Sequence, residues 1–357
     1  MLVLPGGINM TRFDLESISN DDPLGAIEFC YRMGWSDGLP VVPPTESRVR
    51  EFLDYVGRES SDVVLVEPVA GRVVTAEKAA ANAVMAGCLP EYFPVVLAAL
   101  TGMGESAFNL HGATLSTSGM AVMAIVNGPI ARELGMNAGT ALFCPGTRAN
   151  STIGRALFLV MWNCTGNRPD ELDRTIFGHG GRYSMCISER EEDLPNGWEP
   201  LHVDRGFHKS SNAVTVLTAG LPISGGGGSD SDAILKSIVD KMTPLQPLNK
   251  GLLMVMTPEV MRALYMAGWT KSYVKEYLYK ETGRPASDYT GRKLTYTAPE
   301  RISMYKGTDM VPTLERPEAL DIVVAGGDGG ASVMIIEVYG TGVYSASITT
   351  EIKTGSK

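Results

Sequence analysis

The side chain best suited to chemistry is a cysteine in the stretch TAEKAAANAVMAGCLPEYFP, residues 75–94. The alanine-rich part predicts a closely packed helix that begins after Thr75, a good N-cap residue, and ends at Gly87. Cys88 then lies just before a second helix, where the positive end of the helix dipole lowers the pKa of a thiol. The pattern therefore predicts a reactive Cys88, with Glu91 as a neighbouring acid–base group. The alternative is an inert, buried Cys88, since free cysteines are among the most buried residue types.

Three further candidates for substrate binding lie at turn signals. The apolar run 121–126 is typical of a buried strand, and Asn127 follows it at the tip, where α/β proteins often place a binding site. Arg148 precedes an apolar helix predicted over 153–162, for which Asn150 is the N-cap. A guanidinium beside free helix N–H groups can hold a carboxylate or a phosphate. Asn127 could equally serve only the turn, and Arg148 could equally be an ordinary surface residue.

A proline-rich loop, WSDGLPVVPPT, joins two predicted helices over 24–34 and 45–57. Its prolines exclude a helix or a central strand, so the loop is expected to be extended and stiff. Such a loop could hold Trp35 and Asp37 in fixed positions within a binding site. The alternative is that the loop only connects the two helices.

The sequence predicts neither a bound metal nor a cofactor. The five cysteines are widely spaced and contain no CxxC pair, which disfavours disulfides and a zinc site. Three histidines fall in one region but not at the i, i+4 spacing of metal ligands on a helix: His179, His202 and His208. The glycine loop SGGGGSDSD lacks the Lys-Ser/Thr pair of a phosphate-binding loop, and its two aspartates would repel phosphate.

The composition excludes several classes of partner. The 357 residues are 44% hydrophobic and 20% charged, as in an ordinary globular protein, and the formal net charge is -9. Because the sequence has no basic runs, nucleic acid and anionic membranes are not expected as partners. The first residues, MLVLPGGINM, lack the pattern of a signal peptide, and no apolar run reaches the length of a membrane span. We therefore expect a cytoplasmic protein that binds a small molecule or another protein.

Short apolar strands alternate with helices along the chain, which predicts an α/β fold of mixed sheets with flanking helices. The pattern restarts near residue 211, where a strand over 213–219 precedes a glycine loop and another helix. We therefore expect two lobes. The main lobe, residues 1–210, would carry the candidate site, and residues 211–357 would form the second lobe.

Residues 30–210 contain the motifs GWSDGLPVVPPT, NAVMAGCLPEYFPVVLAAL, IVNGPI, GTRANSTIGRAL, GRYSMCISE and WEPLHVDRGF. Together these motifs resemble a bacterial family, the larger protein often encoded beside a small UGSC-type (seleno)protein. The resemblance implies a two-component system in which the small partner brings a thiol or selenol followed by a second cysteine, as in the reductase complexes that cleave glycine or proline. This chain would then supply the substrate pocket and one thiol, Cys88. It has Leu89 where the family has a basic residue, which weakens the expected lowering of the thiol pKa or indicates a different substrate.

Three functions are compatible with these residues. The first is an enzyme subunit with thiol-dependent redox or lyase chemistry on a small anionic substrate, in which Cys88 attacks or donates a proton beside a UGSC-type partner. The second is a cofactor-independent hydratase, dehydratase or hydrolase that uses Glu91 or His111. The third is a non-catalytic binding or scaffold subunit. Apolar helices predicted over 93–103 and 156–162 exceed what one surface layer needs, which also favours a homo-oligomer or hetero-complex.

Overall fold

The computed structural model describes residues 2–5, 15–18, 22–169, 171–292, 299–338 and 346–353. These residues form two mixed four-stranded sheets with helices packed outside them, together with three two-stranded sheets. The prediction of an α/β fold with mixed sheets and flanking helices is confirmed.

Helices and strands alternate along much of the described chain. The α-helices are α1 (Pro23–Arg32), α2 (Glu46–Val56), α3 (Ala76–Ala86), α4 (Phe93–Gly104), α5 (Leu110–Leu115), α6 (Pro129–Glu133), α7 (Arg148–Val160), α8 (Leu201–Asp204), α9 (Ser231–Met242), α10 (Pro258–Met266), α11 (Lys271–Glu281), α12 (Ala286–Arg292) and α13 (Pro299–Ile302). The strands are β1 (Leu2–Pro5), β2 (Leu15–Ile18), β3 (Val63–Val66), β4 (Val73–Thr75), β5 (Ala121–Asn127), β6 (Cys186–Ser188), β7 (Ala213–Ala219), β8 (Ile223–Gly225), β9 (Leu252–Met256), β10 (Gly283–Pro285), β11 (Met310–Pro312), β12 (Leu320–Val324), β13 (Val333–Glu337) and β14 (Ile348–Glu351). A 3-10 turn, Pro90–Tyr92, leads directly into α4.

α3 begins and ends where the sequence predicts. Thr75 is its N-cap, and the Thr75 side chain accepts a hydrogen bond from the backbone N–H of Lys78. Gly87 follows the helix with a φ of 90°, a left-handed conformation that glycine adopts at low cost. Ten of its 11 residues are buried, because its small alanine side chains let α2, α4 and α7 pack closely around it.

α7 begins earlier than the sequence predicts. Arg148 is its first residue and Thr147 is its N-cap, so Asn150 lies inside the first turn. The Asn150 side chain does not cap the helix, because it binds the backbone N–H and carbonyl of Asn137 in the preceding loop. The prediction that Asn150 is the N-cap is therefore wrong.

The first four-stranded sheet has the strand order β14-β7-β5-β6. β5 pairs antiparallel with β7, from Ala121 opposite Ala219 to Asn127 opposite Ala213, and parallel with β6. β5 and β6 come from the predicted first lobe, whereas β7 and β14 come from the predicted second lobe. One sheet thus crosses the predicted boundary after residue 210, and the prediction of two lobes is not confirmed.

The second four-stranded sheet packs against the first. Its order is β12-β9-β13-β8, with β9 parallel to β12 and antiparallel to β13. Met123 and Ile125 of β5 share one buried cluster with Val255 of β9 and Ile336 of β13. A common apolar layer between the sheets therefore joins them, and each fully buried side chain of this kind contributes about 1.5–3 kcal/mol.

Helices cover the outer face of each sheet. Successive strand residues point to opposite faces, so Ala124 and Val126 of β5 pack with α3, α4 and α7 rather than with the second sheet. Met254 and Met256 of β9 likewise pack with α9, α10 and α11. The resulting layers are helix, sheet, sheet and helix, and the candidate residues around Cys88 lie in the first helical layer.

α4 is strongly apolar, and nine of its 12 residues are buried within the chain. Eight of the 13 residues of α7 are buried as well. These two helices therefore do not present the surplus apolar surface that the sequence suggested as an oligomer interface.

Within the described ranges, no single helix has both the length and the hydropathy needed to cross a membrane. One pair of consecutive helices in the described chain, Pro90–Gly104 and Ser106–Leu115, reaches those limits when taken together, and the two are bent by 77°.

Candidate active site

Cys88 lies in the turn between α3 and the 3-10 turn that leads into α4. Its backbone N–H donates to the carbonyl of Ala83 at 3.0 Å, which fixes the turn as the end of α3. Its side chain is only 6% exposed and lies beside the Thr152 side chain of α7, whose hydroxyl donates to the carbonyl of Arg148 at 2.8 Å. α3, α4 and α7 therefore hold the thiol in one position.

Burial raises the pKa of the Cys88 thiol to about 12. The Thr152 side chain and the Arg148 guanidinium both lower this pKa, but their effect is smaller than the cost of desolvating the thiolate. The prediction of a lowered thiol pKa is therefore wrong, because the turn places the sulfur in the core. At neutral pH Cys88 is a neutral thiol, which can donate a proton but is a poor nucleophile.

Arg148 lies at the start of α7, directly beside the Cys88 turn. Its Nε donates to the carbonyl of Gly87 at 3.0 Å, and its side chain is otherwise exposed. Arg148 and Thr152 are four residues apart and so share one face of α7. This face brings a cation and a hydroxyl to the same thiol, although 60 residues of chain separate Cys88 from Arg148.

Glu91 and Tyr92 complete this group from the other side of the turn. Glu91 is half-buried in the 3-10 turn, and Tyr92 is 6% exposed. Burial raises the pKa of the Tyr92 phenol, with Glu91 and Cys88 adding to the increase and Arg148 opposing it. Sequence reasoning did not select Tyr92, although its position directly after Glu91 could have indicated it.

The proline-rich loop holds both of its candidates in packed positions. Asp37 has a fully buried side chain, and its carboxylate accepts two hydrogen bonds from the Arg155 guanidinium of α7, at 2.7 and 2.8 Å. Trp35 is 6% exposed and packs edge to face against Phe29 with 5.6 Å between ring centroids. These contacts favour a structural role for both residues, next to the Cys88 turn.

Both atoms of the Asn150 side-chain amide form hydrogen bonds within the protein. Its Oδ1 accepts from the Asn137 N–H at 2.8 Å, and its Nδ2 donates to the carbonyls of Asn137 and Cys186 at 3.0 and 3.1 Å. The side chain is 6% exposed and joins α7 to β6 and to the loop before α7. This arrangement leaves it no N–H group for a substrate anion.

Asn127 lies in a polar cluster at the end of β5. Its Nδ2 donates to Glu189 Oε2 at 2.8 Å and to Glu191 Oε1 at 2.9 Å, and the residue is fully buried. Burial raises the pKa of Glu189, while the nearby Lys271 ammonium and three hydrogen bonds oppose the increase. Sequence reasoning missed these partners because they follow β6 or come from α11, far along the chain.

His111 lies in α5, apart from the Cys88 junction. Its Nδ1 is 2.7 Å from Oε1 of Glu67, which lies in the turn between β3 and β4, and β4 leads into the first residue of α3. Cys88 follows the last turn of the same helix. Among the described residues, the hydrogen bonds of His111 go to Glu67 and to its own helix, and none joins it to Cys88.

The eight candidates therefore fall into different environments. Cys88 and Arg148 meet at one helix junction, and Glu91 lies in the turn that follows Cys88. Trp35, Asp37 and Asn150 make supporting contacts, Asn127 lies in the polar cluster after β5, and His111 pairs with Glu67. In the part of the chain that the structure describes, no group of three or more His, Cys, Asp or Glu side chains is arranged to hold a metal ion.

The fold and the site define a general class, an α/β protein with a buried thiol beside an exposed guanidinium. No protein-family model matches the chain, and no curated protein matches it either. The function is therefore inferred from the residues at the Cys88 junction.

Proposed function

We propose that this chain is a subunit of a cytoplasmic enzyme that performs thiol-dependent lyase or redox chemistry on a small anionic substrate, together with a small UGSC-type partner. One observation carries the proposal. The Arg148 guanidinium and the Cys88 thiol come from two distant segments and meet at one helix junction, and the Glu91 carboxyl group lies three residues after Cys88 in the turn that follows it. These are the group types that proton transfer to and from an anionic substrate requires.

Arg148 is the proposed anion-binding group. The hydrogen bond from its Nε to Gly87 orients the guanidinium, while its exposure leaves the side chain accessible to a carboxylate from solvent. Arginine binds carboxylates through paired hydrogen bonds that lysine cannot reproduce. A substrate held in this way lies beside Cys88, because Gly87 immediately precedes it.

The raised pKa of Cys88 decides which role the thiol takes. A neutral thiol donates its proton, so in this proposal Cys88 protonates the substrate, and Arg148 and Thr152 stabilise the thiolate that remains. Glu91 is the proposed base that accepts a proton in the same reaction. The nucleophile would then come from elsewhere, and the thiol or selenol of a UGSC-type partner supplies one.

The test measures turnover by the chain mixed with a purified UGSC-type partner protein, using the small molecule that co-purifies with the chain and that mass spectrometry identifies. Cys88→Ser is expected to abolish turnover while the matched variant Cys144→Ser, at an exposed cysteine, retains it. Arg148→Lys is expected to weaken substrate binding about tenfold with little change in melting temperature.

Normal turnover by Cys88→Ser would contradict the proposal. Turnover by the chain alone, without any partner and without dependence on Cys88, would instead support hydration or hydrolysis. If no variant and no partner gives turnover although the partner binds, the chain is a scaffold subunit.

A further inference from the structure

The histidines whose side chains the structure describes differ in their hydrogen-bond partners. His111 is the one among them with a ring nitrogen within hydrogen-bond distance of a carboxylate, at 2.7 Å from Glu67. His202 is fully buried, and its closest carboxylate oxygen, on Glu191, is 3.9 Å away. The remaining two bond to backbone and hydroxyl groups. The partner of each ring decides which of its nitrogens carries the proton.

Backbone donors set the tautomer of His179 and His208. Nδ1 of His179 lies 3.3 Å from the N–H of Gly181, and its Nε2 lies 3.1 Å from the carbonyl of Ala219. Nδ1 of His208 lies 3.2 Å from the N–H of Ser210. Because an N–H group can only donate, Nδ1 is the acceptor in both rings, and their neutral forms carry the proton on Nε2.

The opposite tautomer follows for His111. An ionised carboxylate can only accept, so Nδ1 of His111 must donate to Oε1 of Glu67, and the neutral ring then has its lone pair on Nε2. The His111 side chain is 20% exposed, whereas the Glu67 side chain is 1% exposed. A buried carboxylate thus holds a ring that still reaches solvent.

The local chain keeps both groups in place. Oε2 of Glu67 accepts from the Ala70 N–H, and the backbone N–H of Glu67 donates to Arg72 across the β3–β4 turn. His111 lies in the first turn of α5, where Oδ1 of Asn109 accepts from the Gly112 N–H at 3.1 Å. Rigid support of this kind is what an oriented proton-transfer group needs.

We propose that Glu67 and His111 form an acid–base site in which Nε2 of His111 takes a proton from a hydroxyl group of a small substrate or from a water molecule. In that step the O–H bond breaks, the N–H bond forms at Nε2, and the oxygen keeps the electron pair. The ring becomes an imidazolium, whose charge the Glu67 carboxylate offsets. Glu67 is the positioning residue, and no described contact joins this pair to Cys88, so the site does not depend on that thiol.

The first measurement is the tautomer of each histidine, read from nitrogen-15 chemical shifts of the full-length chain at mildly alkaline pH. His111→Asn assigns the His111 signals. We expect a protonated Nδ1 for His111 and a protonated Nε2 for His179 and His208. A protonated Nε2 on His111, or an average of both tautomers, would overturn the proposal.

The second measurement is the rate at which diethylpyrocarbonate modifies each histidine, followed by mass spectrometry. His111 is expected to react, and Glu67→Gln is expected to slow its reaction about tenfold, because a charged hydrogen bond becomes a neutral one. His208 is the matched internal control and should react at the same rate in both proteins. If Glu67→Gln does not fold, Glu67→Asp replaces it, because the shorter side chain moves the carboxylate away from Nδ1 of His111 and should also slow the reaction.

The outcomes show whether the Glu67–His111 pair is a proton acceptor or only a structural contact between α5 and the β3–β4 turn. If Glu67→Gln lowers the melting temperature but leaves the His111 reaction rate unchanged, the pair is only a structural contact and the proposal fails. Protection of His111 in the wild-type chain would overturn it as well. Cys88→Ser should change neither measurement, so this proposal and the thiol proposal can fail independently.

Discussion

The guanidinium of Arg155 donates two hydrogen bonds to the carboxylate of Asp37, which lies 118 residues earlier in the chain. The same guanidinium also donates to the carbonyls of Leu39 and Pro40. The Arg155 side chain therefore holds the proline-rich loop against α7. Arg155 lies one helical turn after Thr152, the α7 residue beside the Cys88 thiol.

We expect Asp37→Asn to lower the free energy of unfolding by about 3 kcal/mol, because the change leaves the largely buried Arg155 cation without its counter-charge. Urea denaturation at neutral pH measures this loss. The matched control is Glu46→Gln, which removes the carboxylate of the exposed pair with Arg50 and should cost less than about 0.5 kcal/mol. Equal effects of the two variants would show that Asp37 does not act through a buried ion pair.

The order in which iodoacetamide labels the cysteines tests the position of Cys88. At neutral pH we expect Cys144 to react first, because it is exposed. Burial raises the pKa of Cys88 to about 12 and those of Cys30 and Cys164 to about 11, so Cys88 should not react before these two. Peptide mass spectrometry over time measures the order.

The labelling rate of Cys88 should also rise about tenfold per pH unit, since only the thiolate reacts and its fraction grows with pH below the pKa. The Cys144→Ser variant should lose the fast phase alone. Rapid, pH-independent labelling of Cys88 would mean that its thiol is ionised and accessible in the native protein.

Asn150→Ala should destabilise the fold by about 2 kcal/mol. The change removes the partner of three buried or half-buried backbone groups, on Asn137 and Cys186, and nothing of similar size replaces the amide. Thermal unfolding of the variant measures the loss, with alanine at the exposed Asn196 as the control. A stable Asn150→Ala variant that fails to bind substrate would instead assign Asn150 to the binding site.

Glu337 at the end of β13 should make stability depend on pH. Burial raises the pKa of its carboxyl group above the ordinary value, although a backbone hydrogen bond from Gln246 opposes the increase. The folded state therefore binds this proton more tightly than the unfolded state does. The resulting stability is present at low pH and is lost as the pH rises through the folded-state pKa.

The Glu337→Gln variant stays neutral, so it should gain stability relative to the wild type as the pH is raised from about 4 to about 7. Urea denaturation at several pH values measures the difference. The exposed Glu51 of α2 provides the control, and Glu51→Gln should differ from the wild type by a constant amount. A constant difference for Glu337→Gln would contradict the burial of that carboxyl group.

Local chemistry made much of the fold predictable from the sequence. β7 occupies the predicted residues 213–219 and β5 contains the predicted run 121–126, because a short apolar run bounded by turn signals is typical of a buried strand. α3 has its predicted caps for the same reason, since Thr75 and Gly87 act on atoms a few residues away. The start of α7 was wrong because Asn150 has better partners in a loop that local rules do not consider.

The sequence by itself determined which segments become helices and strands and where Cys88 falls between two of them, because caps, turns and apolar periods act over a few residues. Only the tertiary structure decided that β5 pairs with β7 across the predicted boundary, since strand pairing depends on segments far apart in the chain. It also decided that Arg148 meets Cys88 while His111 does not. The sequence left both a reactive and a buried Cys88 open. The tertiary structure decided for burial and a raised pKa, because desolvation comes from the atoms that α7 and its neighbours pack around the sulfur.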